Sequence, residues 1–283
     1  AHVGALTHRR TGVGRMKTVA RGRVILVGAG PGDPELLTLK GAKAIASADV
    51  VLVDDLVHDD VLAHARSDAR IVYVGKRGGC VSTPQAFIER LMVNEARAGR
   101  RVVRLKGGDP FMFGRGGEEK THLEAQGIAV EVVHGVTAGI AAPGAIGVPV
   151  THREVTPGCI FITGHEKRGG PPIDWRAVAA TRLTLVVYMG VARVTHIRDE
   201  LLAGGLAADL PAVVIRNASL PDQHALATTL GQLPQDIEAH AIKSPAIMVI
   251  GDVAKFADLA AAPARRRVHG FAAPGDRVFR PAD

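Results

Sequence analysis

Aromatic residues are scarce in this chain, 4% of 283 residues with a single Trp and two Tyr. A core built without them must come from Ala, Val, Leu and Ile, and short β-branched runs suit strands buried on both faces. Cysteine is scarcer still. Cys80 and Cys159 lie far apart with no CxxC pair, which argues against a disulfide framework or a zinc site and fits reduced thiols in a cytoplasmic protein. No apolar run approaches the roughly 20 residues of a membrane span. The histidines never fall in H-E-x-x-H spacing, and no Walker pattern is present, so zinc-protease and P-loop chemistry have no support and no metal is expected.

What is present is an ordinary globular composition, 47% hydrophobic and 22% charged, with a net charge of +7. That charge is unevenly placed. Residues 1–23 hold six basic residues and no acid, residues 263–283 hold five Arg against Asp276 and Asp283, and the span between is left slightly acidic. The excess belongs to the tails and says little about what the folded part binds. Residues 1–23 lack the apolar core of a signal peptide and are expected as a basic extension without fixed structure, and residues 263–283 as a basic tail.

Between the tails, short β-branched runs alternate with amphipathic stretches. Residues 24–27, 50–53, 71–74 and 102–105 read as strands. Asp33 with Pro34 is expected to start a helix whose apolar face is Leu36, Leu37, Leu39 and Ile45. Ser82-Thr83-Pro84-Gln85 is expected to cap another, ending near residue 98. This rhythm predicts a parallel α/β sheet. After Gly135 the texture turns small and Gly/Ala-rich, and strands are expected again at 160–163, 185–188, 212–215 and 247–250. The fold class is therefore α/β, in two α/β domains at residues 24–136 and 137–262. Gly28, Asp54, Lys76 and Gly107-Gly108-Asp109 each follow a predicted strand, at the sheet edge where ligands of open α/β sheets bind.

Two loops carry most of the information. Gly28-Ala29-Gly30-Pro31-Gly32-Asp33-Pro34 resembles a dinucleotide fingerprint, but Asp33 stands where the third glycine belongs. That carboxylate would oppose a pyrophosphate at a helix start, and two prolines remove amide donors. Residues 104–119, Arg-Leu-Lys-Gly-Gly-Asp-Pro-Phe-Met-Phe-Gly-Arg-Gly-Gly-Glu-Glu, form a glycine-rich loop after a buried strand, a pattern that serves sites. A helix cap at Glu118-Glu119 is the plainer expectation for its end.

Together with Val74-Gly75-Lys76-Arg77-Gly78, Val136-Thr137-Ala138-Gly139, Gly147-Val148-Pro149-Val150-Thr151-His152-Arg153 and Ile162-Thr163-Gly164-His165, these loops resemble, in order and spacing, the uroporphyrinogen-III C-methyltransferases. The resemblance runs from about residue 24 to 253. The first loop alone marks the wider tetrapyrrole methylase superfamily, which includes diphthine synthase and an rRNA ribose methyltransferase; the second loop with 74–78 and 151–153 is far more specific.

The resemblance implies two α/β domains of the tetrapyrrole methylase type with the active site in the cleft between them. It also implies a homodimer in the cytoplasm, with no nucleic-acid or membrane partner. The implied reaction is C-methylation of uroporphyrinogen III at ring carbons C2 and C7, giving precorrin-2 for sirohaem or cobalamin synthesis. S-adenosylmethionine is the implied methyl donor, with S-adenosylhomocysteine as its product. By similarity the cofactor would touch Pro31, Gly107, Gly108, Asp109, Met112, Thr137, Ala138, Met189 and Ala218. Asp54 and Lys76 fall on the proposed proton acceptor and donor, and Arg115 is a rival catalytic group. Arg77, Glu118, His152 and Arg153 would face the substrate, with His165 and Lys167 as further cations for its carboxylates. Three positions depart from the pattern: Asp55 replaces a basic or polar residue, His134 a proline and Ala218 a glycine. Alternatives are a sibling methyltransferase acting on a later corrin precursor, an RNA ribose or the diphthamide precursor, and a nucleic-acid-binding protein acting through its basic tails.

Overall fold

A computed structural model describes residues 22–75, 84–165 and 169–260. The expectations placed on residues 1–21, on Lys76, Arg77, Ser82, Thr83 and Lys167, and on the tail from residue 261 onward lie outside the described residues.

The N-terminal half comprises β1 (Arg23–Gly28), α1 (Leu39–Ala46), β2 (Val50–Val53), β3 (Arg70–Tyr73), α2 (Gln85–Arg97), β4 (Arg101–Lys106), α3 (Gly116–Ala125) and β5 (Ala129–Val133). Its five strands lie in the order β3-β2-β4-β1-β5, and every neighbouring pair is parallel. Alternate residues divide between two apolar layers, as a sheet covered on both faces requires. Ile25, Val27, Val51, Val53, Val103 and Leu105 join Ala44 and Ile45 of α1, while Val24, Leu26, Val50, Leu52 and Val102 join Ile88 and Met92 of α2 and Leu123 of α3. Each large aliphatic so buried contributes about 1.5–3 kcal/mol.

The second half begins with α4 (Ala138–Gly144) and continues through β6 (Cys159–Thr163), α5 (Trp175–Ala180), β7 (Thr184–Tyr188), α6 (Val194–Ala203), β8 (Pro211–Arg216), β9 (His224–Thr229), α7 (Leu233–Ala239) and β10 (Ala246–Ile250). Its sheet, ordered β6-β7-β10-β8-β9, is mixed: β6 and β7 are parallel, and the other pairs are antiparallel. Trp175, Ile197, Leu201 and Leu233 cover one face, whereas Ala142 of α4 and Val253 cover the other. Met112 and Ala138 pack against that second layer, so the glycine-rich loop of the first half reaches the core of the second.

Several local expectations change. The helix expected from Asp33 is two elements. Asp33 caps a single 3-10 turn, Pro34–Leu36, with its carboxylate accepting from the Glu35 amide at 2.8 Å. Thr38 then caps α1 afresh, its hydroxyl accepting from the Gly41 amide at 3.0 Å. Two competent caps five residues apart divide the run, and Leu39, at the first position of α1, is 82% exposed rather than on the apolar face. Pro84 precedes α2 without a side-chain cap bond. Glu119 is no cap either: α3 starts after Arg115 in the left-handed region, and Glu119 turns into the core. Two further strands, β5 and β9, lie at sheet edges and are half-exposed, which is why neither shows a continuous apolar run.

Candidate active site

Because the first sheet is parallel, the carboxyl ends of its strands share one edge. Three adjacent strands, β4, β1 and β5, run out into glycine there. A Cβ on Gly28 would stand 2.5 Å from the Gly108 carbonyl oxygen and 2.6 Å from the Gly135 nitrogen. The two glycine-rich loops are joined by main chain alone: Gly108 N–H donates to the Gly30 carbonyl at 2.6 Å, and Gly30 N–H to the Gly108 carbonyl at 3.2 Å. Gly108 has φ +65°, a conformation that glycine adopts without strain.

Asp109 fastens this assembly to the chain leaving β5. One carboxylate oxygen accepts from the Phe111 amide at 2.8 Å. The other accepts from the Gly135 amide at 3.1 Å and lies 2.9 Å from Nδ1 of His134. Both oxygens thus have protein partners, and the His134 that departs from the family pattern supplies one of them.

The second half closes over the same edge. The Asp33 amide donates to the Ser219 hydroxyl at 2.9 Å, and Gly32 lies against Leu220 and the Ala218 carbonyl. Tyr188, at the end of β7, shares a hydrogen bond with the Thr137 hydroxyl at 2.7 Å and accepts from the Gly139 amide at 2.7 Å. Its ring meets Phe113 of the second loop at 4.8 Å. Burial pushes the Tyr188 phenol above its ordinary pKa, against the pull of these two hydrogen bonds. Phe113, Arg115, Met189, Asn217 and Ser219 all hold positive φ without being glycine, the kind of local strain that gathers where loops are over-determined by a site. The nine positions expected to touch a cofactor therefore fall on segments that contact one another.

Asp54 follows β2 on this edge, its side chain 35% exposed. Its Oδ2 accepts from Nη2 of Arg104 at 3.1 Å and lies 3.9 Å from Nζ of Lys106, and its Oδ1 accepts from the Asp55 amide. Beneath it, Glu119 is fully buried. Its Oε1 accepts from Gln85 at 3.0 Å, Arg104 at 3.3 Å and Lys106 at 3.3 Å; its Oε2 has the Lys106 ammonium at 3.2 Å and no directed hydrogen bond among the described residues. Burial, and then the neighbouring Arg104 charge, pull the Lys106 pKa below its ordinary value, opposed by Glu119 and Asp54.

The other expected polar residues that are described lie on exposed or half-exposed surface. Arg115 is paired with Glu118, Nη2 to Oε2 at 2.6 Å, and this contact raises the guanidinium pKa. His152 is half-buried and stacks on Phe256 at 5.0 Å, with Nδ1 accepting from the Glu154 amide. Arg153 is exposed. No group of three or more His, Cys, Asp or Glu side chains among the described residues could hold a metal ion.

The sequence assigns no site role to Tyr188 or Ser219, nor to the set Arg104, Lys106, Glu119 and Gln85. A signal for the last did exist. Arg104 and Lys106 alternate with apolar residues in a central strand, so both must face one side of a buried sheet and need a countercharge there.

Comparison with known proteins identifies the family. The family model of the Tetrapyrrole (Corrin/Porphyrin) Methylases matches residues 23–234. A uroporphyrinogen-III C-methyltransferase of Pseudomonas aeruginosa is 55% identical over 83% of this chain and 95% of its own length. A siroheme synthase 2 of Klebsiella pneumoniae is 48% identical, and there the match spans 84% of this chain but 51% of the relative. Among solved structures, the uroporphyrin-III C-methyl transferase of Thermus thermophilus complexed with S-adenyl homocysteine is similar with a TM-score of 0.71 and 44% identity, covering 83% of this chain and 99% of the other.

Proposed function

The chain belongs to the tetrapyrrole (corrin/porphyrin) methylases, and we propose that it methylates uroporphyrinogen III at carbons C2 and C7 to give precorrin-2, using S-adenosylmethionine. The observation that carries this reading is the meeting of both glycine loops, the 134–138 segment and the end of β7 around one sheet edge that also bears Asp54. The edge fits such a cofactor. Gly28 and Gly135 let the loops close on one another where a Cβ would collide with backbone, Gly108 takes a φ of +65° that favours glycine, and Met112 and Met189 add apolar, polarizable surface.

S-adenosylmethionine, when bound, supplies an electrophilic methyl group. The task of the chain is then chiefly geometric, holding the pyrrole carbon about 3–3.5 Å from that group in line with the breaking bond. Pro31, Gly107, Gly108, Asp109, Met112, Thr137, Ala138, Met189 and Ala218 are the residues assigned to hold the cofactor. The methylated ring is left cationic with a proton to lose, so a carboxylate is a strong enough base, and Asp54 is the acceptor this reading favours. Arg115, Arg153, Arg77 and His152 serve to bind the substrate carboxylates, for which the planar guanidinium is well suited. Lys76 is retained as the proton donor by similarity. The same reading carries a homodimer located in the cytoplasm and a product destined for sirohaem or cobalamin.

Incubation with uroporphyrinogen III and methyl-labelled S-adenosylmethionine tests it. Label in a doubly methylated tetrapyrrole is expected. Absence of label there, with label instead in a later corrin precursor, RNA or the diphthamide precursor, overturns the choice of substrate.

A further inference from the structure

The proposed reaction draws on Asp54 and Lys76 for proton transfer, yet three further charged side chains lie buried directly beneath Asp54. Arg104 is 2% exposed, Lys106 4% and Glu119 0%. Stability alone gives no reason for them. Arg104 stands in register with Leu26 of β1 and Leu52 of β2, on a face otherwise packed with aliphatic side chains. An apolar residue there would serve the core as well or better, because desolvating ions commonly outweighs their mutual attraction.

The arrangement has a direction. Glu119 is the lower anchor, tied to α2 through Gln85 and to β4 through Arg104 and Lys106. The guanidinium of Arg104 bridges: its Nε donates down to Glu119, and its Nη2 donates up to Oδ2 of Asp54. A planar fork held at both ends fixes its own orientation and that of the carboxylate it meets. Lys106 flanks the same oxygen at 3.9 Å, and a Cβ on Gly114 would lie 3.4 Å from its Cε, so its stem packs beneath the second glycine loop. The cations therefore hold Oδ2, whereas Oδ1 takes only a neighbouring amide among the described residues and keeps a lone pair for an incoming proton.

We propose that Arg104 and Lys106, anchored by Glu119, are positioning residues that aim the Asp54 carboxylate into the cleft. The inference rests on Asp54 being the proton acceptor of the reaction proposed above.

A mutant cycle on the full chain tests it, reading kcat and, separately, S-adenosylhomocysteine affinity by calorimetry. Asp54→Asn is expected to slow turnover about 100-fold. The pair Arg104→Gln with Glu119→Gln, which removes one charge of each sign, is expected to slow it about 10-fold with cofactor affinity held within about 2-fold. Added to Asp54→Asn, that pair should cost no more than about 2-fold further, since there is then no carboxylate to aim. Arg104→Lys, which keeps the charge but loses the fork, should fall between wild type and the neutral pair, and it supplies the same cycle where the pair does not fold. Losses that multiply across the cycle, or a fall in cofactor affinity parallel to kcat, overturn the positioning role while leaving Asp54 as the base. Full turnover in Asp54→Asn overturns both.

Discussion

The hydroxyl groups of Tyr188 and Thr137 meet at 2.7 Å, joining the end of the second sheet's β7 to the segment that leaves the first sheet. The Gly139 amide donates to the same phenolic oxygen. Tyr188→Phe keeps the ring against Phe113 but leaves a buried amide without its acceptor. A loss of about 1–3 kcal/mol in urea unfolding is expected, together with weaker S-adenosylhomocysteine binding by calorimetry. Unchanged stability and affinity would remove the joint from any account of the cleft.

A methyl group on Gly135 would press on the Gly108 carbonyl and stand 2.8 Å from the Gly28 Cα. Backbone on both sides cannot swing away. Gly135→Ala is expected to cost about 1–3 kcal/mol or more and to weaken S-adenosylhomocysteine binding more than about 10-fold, equivalent to about 1.4 kcal/mol. Gly117→Ala is the control, since nothing lies within 4 Å of its added carbon. At the second position of α3 it should leave affinity intact and stabilise by no more than roughly 0.5–1 kcal/mol, the gain of a mid-helix site.

Asp109 acts as a clamp, with three partners on two oxygens. Asp109→Ala should weaken cofactor binding because Gly108 and Gly135 lose their common tie. Asp109→Asn can still accept from the Phe111 amide, so its affinity should lie between wild type and the alanine variant. Equal affinities for all three, measured by calorimetry, would contradict the clamp.

The Arg115–Glu118 pair is exposed at both ends, 54% and 61%, so solvent screens it and its worth to stability is about 0–1 kcal/mol. Arg115→Ala should therefore barely move thermal unfolding. Turnover of uroporphyrinogen III should slow while S-adenosylhomocysteine affinity is retained. Parallel loss of affinity would place Arg115 with the cofactor instead.

Lys106 gives a pH test. Its pKa is lowered in the fold, mainly by burial and then by Arg104. Between that lowered value and the ordinary 10.5 the unfolded chain binds more protons than the native one, so stability rises with pH in that interval. Relative to Lys106→Met, wild type should gain unfolding free energy as pH climbs through this range. Urea unfolding of both proteins across the alkaline range reads the difference, and a flat or falling difference would reverse the assigned direction.

Much of this was legible in the sequence, for physical reasons that differ by element. The central strands announce themselves as β-branched runs because both faces of a covered parallel sheet are apolar. The two glycine loops stand out because a main chain that must approach a ligand or another strand discards side chains. The edge strands β5 and β9 were hidden by their half-exposure. The division at Thr38 was hidden because an N-cap gains its force from the helix behind it, and the sequence offered Asp33 first. Tyr188 was illegible for another reason: its partners Thr137 and Gly139 are about 50 residues away, and a lone tyrosine at a strand end carries no local pattern. Arg104 and Lys106 were visible as charges, but their partner Glu119 looked like a helix-start residue until the fold turned it inward.

The meeting of Gly28, Gly108 and Gly135 has an evolutionary corollary. A floor composed of main chain has no side-chain identity for point mutation to revise; a new side chain on Gly28 or Gly135 collides with the backbone of a neighbouring loop before it alters a preference. Variation is thereby shifted to side chains that stand exposed nearby, such as Leu56, Phe111 and Phe113. Such a molecule inherits the junction of its loops as a fixed instrument and leaves the side chains around it free to drift.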